Sequence, residues 1–372
     1  MNIRVGILTA PHIDFEQREK IFVLHNVRIG IGFHWDRCED QEFAGRLEIL
    51  RNADGTETAV NIIDLEDYLS SVISSEMSAN ANIELLKAHA VISRSWALRA
   101  IEANKKSKIK NIKSKITYEQ NGHVGFDVCA DDHCQRYEGL ARMNNRAIEA
   151  VQATRGEVLT FGDEICDCRF HKCCGGKTEE FETCWEDKHV PYLESVDCPY
   201  CAPDYLKDKT ELQQSLNDYD LETNDYHDWQ VTYSAAELGE IIRSKSGIDF
   251  GEIIDLIPLK RGKSGRIYSL EIVGTKRRQV IGKELTIRRW LSKTCLYSSW
   301  FEVEKNTGIS GYRDTEIPVT RHPSPVTFTL SGHGWGHGVG LCQIGAATMA
   351  IEGFSYRDIL AHYYPGTQCK IL

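Results

Sequence analysis

The sequence contains no apolar run long enough to cross a bilayer, and it has fewer positive charges than negative ones. A membrane-spanning helix needs roughly 20 consecutive apolar residues. Lysine and arginine together number 44, against 54 aspartates and glutamates, which gives a net charge of −10. Nucleic-acid binding requires clustered basic residues. We therefore expect neither a membrane span nor a nucleic-acid partner, and a neutral or locally anionic ligand instead.

Three further patterns are missing from the chain. The opening residues do not combine a charged segment with an apolar one, so no export signal is visible. No internal repeat occurs, and the glycine-rich segment near residues 332–340 does not fit the G-x-G-x-x-G spacing of a dinucleotide loop. At 372 residues with 41% hydrophobic content, the chain is long enough for two lobes and a substantial core.

Apolar periodicity predicts a mixed α+β fold with its strands and helices in two lobes. Residues 1–60 form a β-rich N-terminal segment with a hairpin at Asp54-Gly55, where the Asp-Gly pair favours a tight turn. Apolar residues then recur at helical spacing through residues 64–102, which predicts two helices broken near residues 78–82. A helix and a strand are expected within residues 140–165.

The remaining boundaries follow composition. Residues 61–203 are predicted to form a catalytic lobe that contains a His/Cys cluster, and residues 204–262 an acidic connection followed by a helix. Residues 263–372 form a C-terminal lobe with a Gly/His segment, within one continuous domain. The acidic part of the connection, residues 204–228, is expected to lie at the surface.

Glu76 is the candidate acid/base. Leu65, Leu69, Val72 and Glu76 are spaced by four, three and four residues, so on one helix they share a face. A carboxyl in apolar surroundings has a raised pKa, as a general acid needs near neutral pH. The alternative is a structural glutamate that caps the next helix or pairs with Arg94.

The cysteines and histidines suggest metal binding. His123, Cys129, His133 and Cys134 form a two-imidazole, two-thiolate set of the kind that binds zinc tetrahedrally. Four protein ligands would leave no position for water, so we expect a structural ion. The alternative is a disulfide between Cys129 and Cys134, or free thiols, with solvated histidines.

The other thiols are open to several interpretations. Thirteen cysteines cannot all pair within one chain, so at least one is free, metal-bound or intermolecular. A second zinc site or one or two disulfides are each compatible with the group that lies close together in sequence: Cys166, Cys168, Cys173, Cys174, Cys184, Cys198 and Cys201.

Glycines alternate with His333, Trp335, His337 and Val339 across residues 332–340. In an extended conformation these four side chains would share one face. A tryptophan beside two histidines offers an apolar platform with polar edges, suitable for a sugar ring. The alternative is a tightly packed core strand in which glycines provide clearance.

Four segments resemble the stage II sporulation protein D and LytB (amidase enhancer) family. They are LEDYLSSVISSEM, ELLKAHAVISRSWALRA, the stretch from AVQATRGEVLTFGDE to PYLESV, and GHGWGHGVGLCQIGAATMAIEGFSYRDILAHYYPGT. The chain departs from the family signature by having Leu85 for alanine, His89 for glutamine and Leu341-Cys342 for Met-Ser. It also has one additional residue between Val72 and Glu76.

The resemblance implies a lytic transglycosylase that cleaves the bond between N-acetylmuramic acid and N-acetylglucosamine in denuded peptidoglycan and leaves a 1,6-anhydro end. Glu76 matches the catalytic residue, Arg94 is expected in a glycan-binding cleft between the lobes, and Gln343 is a candidate partner for a sugar hydroxyl. Some family members bind zinc through a similar His/Cys cluster. An extracytoplasmic location in the cell envelope follows from this function.

Two other functions remain open on the sequence. The chain could be a non-catalytic peptidoglycan-binding activator of a separate N-acetylmuramoyl-L-alanine amidase, or a zinc hydrolase in which one of the four ligands does not bind the metal. A basic run could select denuded glycan by meeting the lactyl carboxylates of muramic acid; its members are Lys105, Lys106, Lys108, Lys110, Lys113 and Lys115. Arg94 and Lys87 could contribute to the same selection.

Overall fold

The computed structural model describes residues 1–110, 123–222, 227–307 and 326–372, with only the backbone described for residues 104–110. Helices alternate with strands that form several small sheets, which confirms the predicted α+β class. No helix in these ranges has both the length and the apolar character that a bilayer crossing requires.

The strands are β1 (Asn2–Ala10), β2 (Phe15–Gln17), β3 (Ile21–Ile29), β4 (Arg37–Ala44), β5 (Arg46–Arg51), β6 (Glu57–Asp64), β7 (Val128–Cys129), β8 (Glu157–Phe161), β9 (Glu164–Ile165), β10 (Phe170–His171), β11 (Asp228–Ser234), β12 (Ile253–Arg261), β13 (Ile267–Gly274), β14 (Arg278–Ile281), β15 (Phe301–Asn306), β16 (Thr327–His333), β17 (Leu341–Cys342) and β18 (Gln368–Ile371). The helices are α1 (Leu65–Glu76), α2 (Ile83–Lys110), α3 (Asn145–Ala153), α4 (Phe181–Cys184), α5 (Thr210–Gln214), α6 (Asp218–Leu221), α7 (Ala235–Ser246), α8 (Glu284–Trp290), α9 (Gln343–Ile351) and α10 (Tyr356–Tyr363). Short 3-10 turns occupy Pro191–Leu193 and Pro199–Cys201.

The N-terminal strands and the two helices after them follow the prediction. β5 and β6 form an antiparallel hairpin in which Arg51 pairs with Glu57, and the Asp54-Gly55 turn has Gly55 at φ +85°. β1 pairs with β6 and, on its other side, with β7 in parallel. The Asp64 carboxylate accepts the Glu66 N–H and caps α1, and the break before α2 falls at the predicted position.

Two hydrophobic cores form. The first contains residues from β1 through α6 together with residues 335–364, and the second contains residues from β11 to β16 with α7 and α8. This grouping differs from the boundaries predicted after residues 203 and 262, because Trp335 and Val339 return the C-terminal segment to the first core. β11 and β16 pair antiparallel with Asp228 opposite His333, so the chain leaves and rejoins the first core side by side.

The acidic connection follows the surface prediction only in part, since residues 204, 205 and 207–211 are exposed but α6 is partly buried. Tyr219 and Asp220 of α6 are both buried. The Asp220 carboxylate lies 2.7 Å from the Lys172 ammonium, which is also buried. A buried ammonium requires a counter-charge, and Asp220 in the connection supplies it. Because the partner is distant in sequence, the composition of the connection does not predict this pairing.

Arg94 lies in the first core, with only 1% of its side chain exposed. Its guanidinium forms a two-point ion pair with Glu66 of α1 at 2.6 and 3.0 Å, and Nη1 donates to the Glu157 carbonyl at 2.9 Å. The side chain therefore joins α1, α2 and β8. This corrects two expectations, because Arg94 pairs with Glu66 instead of Glu76 and its guanidinium already bonds to Glu66 and to a backbone carbonyl within the core.

We expect Arg94→Met to destabilise the protein by about 3–5 kcal/mol, because it leaves the Glu66 carboxylate without its partner in the core. Urea unfolding followed by circular dichroism measures the change. The matched control is Arg278→Met, which removes an exposed two-point pair with Glu271 and should cost at most about 1 kcal/mol. Equal losses for the two variants would contradict the structural role of Arg94.

Candidate functional site

Glu76 is the last residue of α1, and its side chain is almost entirely buried at 7% exposure. Its Oε1 accepts the backbone N–H of Arg136 at 2.9 Å. Burial raises the pKa of the Glu76 carboxyl above its usual value, and the nearby Arg136 charge opposes that rise. The Glu76 carboxyl therefore keeps its proton to a higher pH than an exposed glutamate does.

The apolar stripe predicted on α1 is present, since Leu65, Leu69 and Val72 are all buried. The four serines of α1 are buried as well, although they are polar. Two of them satisfy their hydroxyls within the helix, Ser74 by donating to Ser70 and Ser75 by donating to Ser71. The whole end of α1 is thus enclosed, and it is this enclosure that desolvates Glu76.

Side chains from two other segments hold the C-terminal end of α1. The last carbonyls of a helix have no partner within it, and here Asn217 donates to the Ser75 carbonyl at 2.9 Å and Tyr219 donates to the same oxygen. The Lys172 ammonium donates to the Glu76 carbonyl at 3.1 Å. The backbone that supports the Glu76 carboxyl is therefore fixed by hydrogen bonds from three side chains, one of which belongs to α6.

Arg136 lies beside Glu76 between two aromatic rings. Its guanidinium is 4.7 Å from the Trp35 ring and 4.6 Å from the Tyr219 ring, and Nε donates to the Asp132 carboxylate at 2.6 Å. Its Nη1 is buried and has no hydrogen-bond partner among the described residues. A buried donor in this state is costly, so its position next to Glu76 favours a ligand group there.

Trp335 belongs to an aromatic cluster that reaches this arginine. The rings of Trp335 and Trp35 are 5.5 Å apart, and His34 lies 5.2 Å from both Trp335 and Tyr297. Trp35 in turn stacks on Arg136. Trp335 is therefore linked to the surroundings of Glu76 through Trp35 and Arg136.

The Gly/His segment is not extended, so the shared face predicted for its side chains was wrong. Gly334, Gly336 and Gly338 have φ values of +75°, +100° and +84°, in the left-handed region that turns the chain at every second residue. A Cβ on Gly334 would lie 2.8 Å from the carbonyl oxygens of Cys173 and Cys174, so a side chain there is excluded.

The histidines of this segment consequently diverge from Trp335. His333 is exposed and lies 2.6 Å from the Asp228 carboxylate. His337 packs against Trp185 and His171, and burial lowers its pKa, so it is neutral. Neither imidazole joins the aromatic cluster.

Gln343 is also directed into the core. Its Nε2 lies 3.0 Å from the Nε2 of His89, and burial lowers the pKa of His89 to about 3. The neutral imidazole can therefore accept a hydrogen bond from the amide, which joins α9 to α2. These surroundings give no support to a sugar contact by Gln343.

The four predicted metal ligands come together. Cys134 Sγ lies 3.8 Å from His123 Nε2 and 3.6 Å from His133 Nδ1, and Cys129 Sγ lies 3.7 Å from the same His133 atom. The four ligand atoms are all within 4.8 Å of one another. Hydrogen bonds from Cys134 and the two imidazoles lower the pKa of the Cys129 thiol to about 2, despite burial. Thiolate and imidazole ligands at this spacing fit zinc.

Local packing positions this metal-ligand set. β7 places Cys129 next to β1. The Phe126 ring packs against Gly6 of β1, where a Cβ on Gly6 would lie only 2.7 Å from the ring. Arg136 follows Cys134 by two residues and donates its N–H to Glu76. An ion at this site would therefore hold the loop that contacts the candidate acid.

The predicted lysine run lies outside the described residues. Lys105, Lys106, Lys108 and Lys110 have only their backbone described, and Lys113 and Lys115 fall in the gap between residues 110 and 123. Selection of denuded glycan by these lysines stays a prediction.

Two family models match separate parts of the chain. The model described as stage II sporulation protein matches residues 53–161, which include Glu76 and the complete His/Cys set. A domain of unknown function (DUF8618) matches residues 179–340, which span the second core. The first match covers α1 and α2, where the sequence motifs lie.

Relatives share most of the chain's length. Stage II sporulation protein D of Bacillus subtilis is 28% identical over 83% of this chain and 75% of its own length. The amidase enhancer of Bacillus subtilis is 27% identical over 80% of this chain, which spans only 40% of that longer protein. A protein of Brachyspira hyodysenteriae is 28% identical over 87% of this chain and 71% of its own length. The resemblance to the stage II sporulation protein D and amidase enhancer family is thereby confirmed.

Some residues of the site were not found from the sequence. Arg136 contacts Glu76, and Trp35 and Tyr219 pack against Arg136, although the three residues come from separate regions of the chain. Arg136 had one usable signal, since it follows a predicted metal ligand by two residues. Trp35 and Tyr219 had none, because their proximity is a product of the fold.

We expect Glu76→Gln to become more stable relative to the wild type as the pH rises from about 4 to 8. The folded pKa is raised above the unfolded one, so the wild type progressively loses stability as it must ionise a buried carboxyl, whereas the amide stays neutral. Urea unfolding at several pH values measures the difference. Glu66→Gln is the control, because it breaks the Arg94 pair and should destabilise at neutral pH. A Glu76→Gln difference that does not change with pH would contradict the burial argument.

We expect His133→Ala to remove one zinc ion per chain and to lower the melting temperature, since a closed four-ligand site links metal binding to folding. Metal analysis and thermal melting measure the two effects. His12→Ala, at an exposed histidine, should change neither. A purified wild type without zinc, or a variant that melts unchanged, would contradict the structural role of the His/Cys set.

Proposed function

We propose that this protein is a lytic transglycosylase that cleaves the bond between N-acetylmuramic acid and N-acetylglucosamine in peptidoglycan glycan strands. The stage II sporulation protein D and amidase enhancer relatives support a function connected with the cell wall. The enclosed, proton-retaining carboxyl of Glu76 is the observation that favours glycan cleavage among such functions.

One carboxyl is sufficient for this reaction. In its protonated form Glu76 donates the proton to the glycosidic oxygen as the bond from muramoyl C1 breaks, and the N-acetylglucosamine hydroxyl leaves. The resulting carboxylate accepts the proton of the muramoyl C6 hydroxyl while that oxygen bonds to C1. The product is a 1,6-anhydro ring, and the enzyme regains its proton. The nearby Asp132 carboxylate is paired with Arg136, so it is not assigned to the reaction.

Arg136 takes the substrate-contacting role that the sequence suggested for Arg94. Its buried, unpartnered Nη1 is a donor for a sugar oxygen or a lactyl carboxylate. The Trp35 ring packs against Arg136 and Trp335 packs against Trp35, and both tryptophans are largely buried. We propose that these groups lie along a glycan-binding cleft, and that denuded strands, with their free lactyl carboxylates, are the preferred form.

The second candidate is a non-catalytic activator of a separate amidase. The name of the amidase enhancer relative favours it, although this chain spans 40% of that protein. A binding module has no need of a desolvated carboxyl held by a backbone N–H, so Glu76 favours the enzyme. A zinc hydrolase is less suitable still, because all four residues of the His/Cys set lie at ligand spacing and leave no position for water. Action in the cell envelope belongs to the same proposal.

We expect Glu76→Gln to retain glycan binding and to lose cleavage by at least about 100-fold, the usual contribution of a general acid/base. Mass spectrometry of digested denuded glycan strands measures 1,6-anhydro ends. Glu138→Gln is the matched control, since burial also raises the pKa of Glu138 but its carboxylate is bound to Arg142; it should retain cleavage.

Two outcomes separate the alternatives. Turnover by Glu76→Gln at the wild-type rate would eliminate the assignment of the acid. Wild-type protein that yields no anhydro ends but stimulates an added amidase would establish the activator instead.

A further inference from the structure

Four buried cysteines lie together in the first core, away from the His/Cys set. The sulfur atoms of Cys174, Cys198, Cys201 and Cys342 are all within 4.8 Å of one another. We propose that these four thiolates bind a second metal ion, a tetrahedrally coordinated zinc, which neither the family resemblance nor the proposed reaction assigns. We call this group the four-cysteine site.

The spacing of the sulfurs fits a single ion. A tetrahedral zinc with Zn–S bonds of about 2.3 Å holds its sulfurs about 3.8 Å apart. Cys174 Sγ and Cys201 Sγ are 3.4 Å apart. In an iron–sulfur cluster at least two irons share the four thiolates, so the thiolates on different irons lie farther apart than these sulfurs do, and a mononuclear centre fits better. Four soft sulfur ligands in a tetrahedral arrangement are typical of zinc.

The surroundings provide hydrogen-bond donors to the sulfurs. Cys342 Sγ accepts the backbone N–H groups of Cys174 at 3.3 Å and Gly345 at 3.4 Å, and Cys174 Sγ accepts that of Gly176 at 3.4 Å. The Cys198 sulfur lies 3.1 Å from the Tyr363 hydroxyl. Donors of this kind orient metal-bound thiolates and stabilise their charge.

Two details of α9 agree with an anionic centre. Cys342 is the N-cap residue of the helix, where the unpaired N–H groups favour negative charge. Gly345 in the first turn leaves space for the sulfurs, because a Cβ there would lie 2.6 Å from Cys198 Sγ and 2.3 Å from the Tyr363 hydroxyl. Cys342 is also the residue at which this chain departs from the Met-Ser of the family signature, and the departure supplies the fourth thiol.

A disulfide explains the group less well. Bonding Cys174 to Cys201 would require their sulfurs to approach to about 2.05 Å, and it would leave Cys198 and Cys342 as buried thiols beside it. One ion uses all four. It would join the segment after β10, the Pro199–Cys201 turn and the start of α9, three parts of the first core that come from different regions of the sequence.

The four-cysteine site adjoins the candidate active site through the chain itself. Cys173 exchanges two backbone hydrogen bonds with Trp335, at 2.7 and 3.0 Å. Lys172, two residues before Cys174, donates to the Glu76 carbonyl. An ion bound by Cys174 would therefore hold in place both the aromatic cluster and the support of Glu76, although it would take no part in the reaction.

Metal content of the purified full-length protein tests the proposal without any reference to activity. We expect two zinc ions per wild-type chain by plasma mass spectrometry, one in Cys201→Ser, one in His133→Ala and none in the double variant. Cys295→Ser, at a buried cysteine outside both groups, should retain two. One ion in the wild type that His133→Ala removes completely would overturn the four-cysteine site.

Two further measurements avoid the risk that Cys201→Ser fails to fold. Cobalt substituted for zinc should show thiolate-to-metal charge transfer that persists in His133→Ala, because the four-cysteine site is untouched there. Peptide mapping of the wild type without reductant should recover all four cysteines as thiols. A mapped disulfide between any two of them, or loss of all cobalt absorption in His133→Ala, would overturn the proposal while leaving the assignment of Glu76 unaffected.

Discussion

The buried ammonium of Lys172 is the interaction on which the arrangement around Glu76 depends. Burial lowers the pKa of this lysine, while the Asp220 carboxylate at 2.7 Å favours its charged form. An uncompensated charge in the core costs several kcal/mol, so α6, which carries Asp220, must pack against Lys172. Docking brings Tyr219 and Asn217 to the end of α1. One charge thus determines the position of a whole segment that local composition would place in solvent.

The two cysteine-containing groups are placed in a similar way relative to Glu76. Each lies close in sequence to a residue that contacts Glu76: Arg136 follows the His/Cys set and Lys172 precedes the four-cysteine site. With the proposed ions bound, each group would constrain the backbone that carries a hydrogen-bond donor to Glu76, and neither would need to touch a substrate. Glu76 is consequently contacted from both sides, since Arg136 donates to its carboxylate and Lys172 to its backbone carbonyl.

Local regularities were predictable from the sequence, and long-range pairings were not. Helical spacing predicted α1, the break after it and α2, and the Asp54-Gly55 pair predicted the hairpin, since each depends on neighbours in sequence. The His/Cys set was recognisable because its ligands are close together along the chain. Arg94, Asp220 and Gln343 were misplaced because their partners are supplied from far along the chain. The Gly/His segment was predicted to be extended. Instead its glycines adopt positive φ values, and the lack of a side chain at Gly334 allows the close approach to residues 173–174.

The pairing of Asp228 with His333 has a consequence for how the chain can vary. More than one hundred residues separate these two positions, yet they are opposite one another in adjacent strands, and the Gly334 N–H donates to the His227 carbonyl at 2.7 Å. The second core therefore behaves as an insertion whose two ends meet. When the two ends of an insertion are adjacent, the insertion can be exchanged or shortened without changing the chain path of the domain that contains it, here the first core. The fold thus permits changes in the size and surface of this module that leave the chain path around Glu76 unaltered.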